Sequence, residues 1–273
     1  MKLFNFAIIC VVVFFTASCQ RSTEKLAHAL YEKALDAYKE ESYEQAEQLI
    51  DSLHVNYPNE ISTRRKALAL KKEVDIQRSR RDSLYAQTRL SILQQAQDSL
   101  AQYFVKINDT PFSDEYILSA KELRNQRIPY LDIYFNKDGK LELIASVKNS
   151  TPLNSNHLII EDVTNKTFIS TDTLPYDAGM NYRYKEAGIF YERLTFTAKD
   201  ALAIAQFITH APKEHQLKAQ VKGGGTLVFN LSNTLRLSFL RTIAMHNVQE
   251  EIGLLKRTLS KHTKRLQQYK QQP

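Results

Sequence analysis

Cysteine is nearly missing from this chain: Cys10 and Cys19 are the only two. Tryptophan is absent, and 273 residues hold just 7 glycines and 7 prolines. So few chain breakers argue for long helices and few irregular loops. The short motifs that mark chemistry are missing too. There is no Gly-x-Ser-x-Gly nucleophile turn. The triplet Gly223-Gly224-Gly225 lacks the lysine and hydroxyl residue of a phosphate-binding loop. It joins two strand-like runs and reads as a turn. The histidines His28, His54, His157, His210, His215, His246 and His262 are scattered. Pro212 separates His210 from His215, which keeps the two off a shared helix face, where metal ligands usually sit. Asp162, Asp172 and Asp177 are close in sequence, with no spacing that makes them converge. We therefore expect no enzyme, no catalytic residue, no metal and no cofactor.

What is present begins at the amino terminus. Met1-Lys2 supplies a positive charge, residues 3–15 are almost wholly apolar, and Thr16-Ala17-Ser18 are small. That order reads as a secretory signal peptide over residues 1–18. The apolar run falls short of the about 20 residues that a spanning helix needs. With Cys19 directly behind the small residues, the leader resembles a bacterial lipoprotein signal. The resemblance implies that the Cys19 thiol receives a diacylglyceryl group, that cleavage occurs before it, and that the new amino terminus is acylated. The competing reading is an ordinary signal peptide with an incidental cysteine. The cysteine count supports the first. Cys10 leaves with the leader, so no intrachain disulfide can form, and a lone thiol in an exported protein invites mispairing. Gln20 follows the cysteine, where many inner-membrane lipoproteins have aspartate. The expected location is the cell envelope, anchored in the outer membrane and facing the periplasm.

Charge is uneven. Acidic residues outnumber basic ones from Arg21 to Glu60. Arg64, Arg65, Lys66, Lys71, Lys72, Arg78, Arg80 and Arg81 then form a basic stretch, and the tail from Lys256 to Lys270 is basic again. In an exported protein nucleic acid is a poor partner. Anionic headgroups or an acidic protein suit such runs better, and a solvated helix face is the plainer reading.

Glu24 to Pro58 is helical twice over. Leu30, Ala34 and Tyr38 recur at helical spacing, as do Tyr43, Ala46, Ile50 and Leu53, and Pro58 closes the second run. Those residues resemble a tetratricopeptide repeat, with small Ala34 and Ala46 letting two antiparallel helices approach. Glu41 stands where the family usually has a turn glycine. Stable arrays usually need about three repeats, and one is clear here; Ile61 to Val74 would supply the first helix of a second. The resemblance implies protein docking. A lone hairpin buries part of its apolar surface only, so Leu26, Tyr31, Leu49 and Leu53 are the candidate protein-binding residues. The opposing expectation is that the hairpin packs on the next helix with nothing left over.

From Thr63 no glycine or proline intervenes until about Phe104. Ala86, Leu90, Leu93, Gln97, Leu100 and Phe104 alternate by fours and threes. Met245, Val248, Ile252, Leu255, Leu259, His262, Leu266 and Tyr269 do the same at the other end. These are heptad seams. They predict an antiparallel pair with the middle domain at its far end, or else two helices packing separately on that domain. His262 sits at a core-type position and reads as packing rather than as a ligand.

The middle turns to β-structure. Leu131–Phe135 and Leu141–Val147 flank a turn with Asp138-Gly139, which reads as a hairpin. Three more pairs follow: 157–163 with 167–170, 182–185 with 189–196, and 216–222 with 226–231. Thr197 to Asp200 resembles a capping box opening a short helix through Thr209. Tyr176, Tyr182, Tyr184 and Tyr191 enrich one region in aromatics. They read as sheet core; exposed, they would make a binding surface.

The expected fold is α+β: a lipidated amino terminus and helical hairpin over 19–62, a long helix over 63–104, an antiparallel sandwich-like β domain with one short helix over 105–232, and a carboxy-terminal helix over 233–273 that packs with the first long helix. The expected function is an anchored, non-enzymatic adaptor or spacer with an envelope protein as partner. The alternatives are a glycan- or peptide-binding lipoprotein, and a hydrolase whose residues meet only in the fold. A shallow aromatic face favours the former, a deep pocket with clustered acids the latter.

Overall fold

A computed structural model describes residues 23–108, 116–123 and 127–271. Cys19 and the leader lie outside them. The chain is α+β and divides into two compact units. The first is Met1–Leu90 with Leu254–Pro273, the second Ser91–Gly253. The boundary falls inside the two longest helices rather than at their ends.

In the first unit, helix α1 covers 23–39 and α2 covers Tyr43–Asn56. Helix α3, Ile61–Ala101, enters from this unit, and α5, Asn233–Gln271, ends in it. Between α1 and α2 the amide of Ser42 bonds the Ala37 carbonyl and that of Glu41 the Tyr38 carbonyl. This closing pattern puts Glu41 in the left-handed region at φ 58. Ala34, Ala46 and Ala67, one on each helix, are fully buried, so three backbones approach closely. Ala37, Tyr43, Ile50, Leu53, Leu70 and Val74 complete that core. The start of α3 thus packs on the hairpin as its third helix.

Helices α2 and α3 are antiparallel and joined by charge. Arg81 pairs with Glu44 at 2.7 Å, Arg78 with Glu47, and Lys71 with Asp51. The acidic and basic runs of the sequence are therefore partly each other's complement within the chain. Helix α5 packs on α3, also antiparallel. Buried Asp75 accepts bonds from Arg265 (3.1 Å) and Tyr269 (2.9 Å) on α5, and from Arg78 (3.0 Å) on its own helix. His262 is buried with Nδ1 at 3.3 Å from the Ser79 hydroxyl. Burial holds its imidazole below the usual range against the pull of Asp82.

The second unit holds ten strands among the described residues. The six-stranded sheet has the order β1-β2-β3-β4-β8-β7 and the four-stranded one β10-β9-β5-β6. The strands are β1 Phe104–Asn108, β2 Tyr116–Ala120, β3 Tyr130–Phe135, β4 Leu141–Asn149 and β5 His157–Asp162. The rest are β6 Thr167–Ser170, β7 Asn181–Glu186, β8 Ile189–Phe196, β9 Leu217–Lys222 and β10 Thr226–Asn230. Every pairing is antiparallel. Register places Leu131 opposite Ala145 opposite Leu194, and Ile133 opposite Leu143 opposite Phe196, all on one face. On the other sheet Leu158 and Ile160 face Val221 and Ala219. Both faces share one core with Ala201, Ile204 and Ile208 of α4 (Ala198–His210) and with Leu235 and Phe239 of α5.

Some expectations need correction. Phe104 is not the last heptad residue of α3: it opens β1, opposite Ala120, and is buried in the sheet core. Strands β1 and β2 have no counterpart in the sequence reading. Thr197 stands at the cap of α4 but makes no side-chain cap bond; Asp200 instead accepts the Asp172 amide at 3.2 Å.

Candidate interaction surfaces

The hairpin residues proposed for docking divide by burial. Leu26 is 55% exposed and free to make a contact. Tyr31 and Leu49 are half-buried against the core of the first unit. Leu53 is wholly buried among the three helices, so it is corrected from binding residue to core residue. The reason is α3, which covers the α2 face that carries it. Apolar exposure appears elsewhere on that helix. Ile61 and Leu68, two helical turns apart on one stripe, are both exposed.

The tyrosines also depart from expectation. Tyr182 and Tyr184 are 44% and 43% exposed, Tyr176 is exposed, and Tyr191 is half-buried, so they form a surface and not sheet core. Strand alternation turns Tyr182 and Tyr184 of β7 to one face, where Tyr184 lies opposite Tyr191 of β8. The Tyr184 and Tyr191 rings are stacked, 4.8 Å apart and 6° from parallel. Tyr182 lies 5.8 Å from Tyr184. Register sets Arg193 opposite Tyr182 and Lys148 opposite Tyr191, so cations flank the rings. Burial and the Glu186 charge push the Tyr184 hydroxyl up, so it remains a neutral donor. Strand β7 ends the six-stranded sheet. An aromatic strip on an edge strand can pack on the apolar face of a sugar or accept an added peptide strand.

On the reverse of β7, Arg183 bonds the Ser155 carbonyl (2.7 Å) and the Asn154 side chain (3.1 Å), and lies over the Tyr176 ring at 5.2 Å. Beside it, buried Glu192 accepts three backbone amides: Leu153 (2.7 Å), Asn154 (3.0 Å) and Ser155 (2.6 Å). This carboxylate clamp was not visible in the sequence, because its partners are main-chain groups 37 to 39 positions away. The glycine triplet packs on the same loop. A Cβ at Gly223 would stand 1.9 Å from the Asn154 carbonyl oxygen. The triplet is a turn between β9 and β10 whose first residue also has no room for a side chain.

The three aspartates do not converge. Asp162 bonds His215 Nδ1 at 2.7 Å and the Thr164 and Asn165 amides at 3.0 and 3.1 Å. Burial opposes its charge, yet those bonds prevail and hold its carboxyl below the usual range. Asp172 pairs with Lys199, and Asp177 accepts the Gly179 and Asn181 amides of its own turn. One acid has an unusual environment. Burial pushes Asp132 up to about 7, opposed by the Ser119 hydroxyl at 3.3 Å. Among the described residues no group of three acids, histidines or cysteines is placed to hold a metal ion. Among them, too, no helix is long and apolar enough to cross a membrane. No family model, curated protein or solved structure matches the chain.

Proposed function

We propose that this chain is a lipid-anchored protein of the bacterial envelope that works as a non-enzymatic adaptor or spacer. Cys19 behind its small-residue leader is the anchor, with the outer membrane as the site and the body facing the periplasm. The observation that carries docking is the exposed apolar stripe of Ile61 and Leu68 on α3, together with Leu26 on α1. Exposed apolar side chains grouped on one element mark contact sites better than scattered ones. The polar groups that are buried here serve the fold: Asp75, Glu192, Asp162 and His262 each hold elements together. Crosslinking in whole cells tests the reading. Ile61→Asp with Leu68→Asp should abolish the crosslinked partner and leave the unfolding midpoint unchanged. A partner band that persists removes the stripe from the proposal. Membrane fractionation of Cys19→Ala tests the anchor, which is abandoned if that variant stays membrane-bound.

The exposed tyrosine strip favours a second reading, in which the β unit recognises a glycan or an extended peptide. Tyr182→Ala with Tyr184→Ala would then abolish retention on immobilised cell-wall glycan or peptide. Undiminished retention would end that reading.

A further inference from the structure

The end of α4, the loop after it and the first turns of α5 enclose a cavity of about 350 Å³, wide enough for a small ligand. Ile208, Leu237 and Leu240 form its apolar wall, and Leu237 and Leu240 are exposed at it. Lys213 and Arg236 supply its charge, and none of its lining residues is acidic. Arg236 is held in place by neutral groups only. Its guanidinium donates to the carbonyls of Ala211, Pro212, Lys213 and His215, at 2.5 to 3.1 Å. Carbonyls orient a guanidinium but do not cancel its charge. Lys213 makes no ion pair among the described residues. Two cations without an acidic partner in the lining, beside an apolar wall, favour an anion with an apolar body.

We propose that this cavity binds a small monocarboxylate with an aliphatic tail. The carboxylate pairs with Lys213, Arg236 adds its charge while its terminal N–H groups stay on the carbonyls, and the tail covers Ile208, Leu237 and Leu240. The site is independent of the docking stripe and of the tyrosine strip, and its test does not rely on either. The full chain carrying Cys19→Ala, which removes the acylated thiol, is titrated calorimetrically with sodium octanoate, octanol and sodium acetate. Octanoate should bind at one site, octanol about tenfold more weakly, and acetate undetectably, because head and tail are both needed. Lys213→Glu and Leu240→Ser alter exposed side chains. Each should weaken octanoate by about tenfold without moving the unfolding midpoint. The proposal is overturned if octanoate does not bind, if octanol binds as well as octanoate, or if both variants bind it unchanged. It is overturned too if a short peptide ending in leucine binds more tightly than octanoate, since the site would then belong to a protein tail.

Discussion

Glu41 shows how one residue carries a local strain that the fold does not need. It sits at φ 58 where the α1–α2 turn closes, a conformation that glycine adopts without a Cβ penalty. Its side chain makes no ion pair among the described residues. Glu41→Gly should therefore stabilise the chain by about 1 kcal/mol, read as a higher denaturant midpoint. Asp132 carries a different burden. Its folded value near 7 lies above 3.8, its ordinary value. The folded state thus holds the proton more tightly, and its advantage is complete below pH 3.8. As pH rises towards 7 the unfolded chain ionises first, and stability falls by up to about 4 kcal/mol. Asp132→Asn should flatten that fall, so the variant gains stability relative to the parent as pH rises from about 4 to about 8. Urea midpoints that shift equally with pH in the parent and in the variant would contradict it.

At the scale of elements, hairpins were readable and edges were not. Gly139 in one loop, and Ala187 with Gly188 in another, take the left-handed conformation that short loops between strands require, and the paired runs beside them follow. Strands β1 and β2 escaped because Phe104 continued the three-four spacing of α3, and a periodicity carries no mark where the backbone changes state. The tyrosines lie outside the core because β7 is an edge. There Arg183 and Asn181 take the inward positions through bonds to a loop, leaving the rings outside. Leu53 is core because α3 supplies a third helix that the hairpin pattern by itself does not contain. Both long seams, by contrast, match burial: Leu90, Leu93, Ile252 and Leu255 are all buried. Aspartate at Leu93 and Leu255 together would bury unpaired charge and should cost several kcal/mol of stability, read as a lower thermal midpoint. An unchanged midpoint would mean that these seams do not hold the helices. The β9–β10 turn gives a sharper contrast. Gly223→Ala drives a methyl into the Asn154 carbonyl and should cost about 1–3 kcal/mol or more, whereas Gly224→Ala meets its nearest atom at 3.4 Å and should cost less. Equal losses for the two would refute the close approach.

At the scale of the molecule, the first unit is assembled from both ends of the chain. Asp75 is answered by Arg265 and Tyr269, which follow it by 190 and 194 positions. Removing residues 254–273 should leave Asp75 with Arg78 alone from this network and strip hydrogen-exchange protection from the amides of 67–79. Protection that survives the deletion would show that the three amino-terminal helices close without α5. Closing so wide a loop carries an entropic cost that only the finished set of contacts offsets.

That arrangement also sets an order in time. A chain made from its amino terminus delivers α1, α2 and the start of α3 first, and the segment bearing His262, Arg265 and Tyr269 last. The part made earliest is the last to be completed. A product that stops early keeps a buried carboxylate short of its donors and an α3 face open to proteases. Survival against proteolysis then becomes a check that translation reached the end of α5.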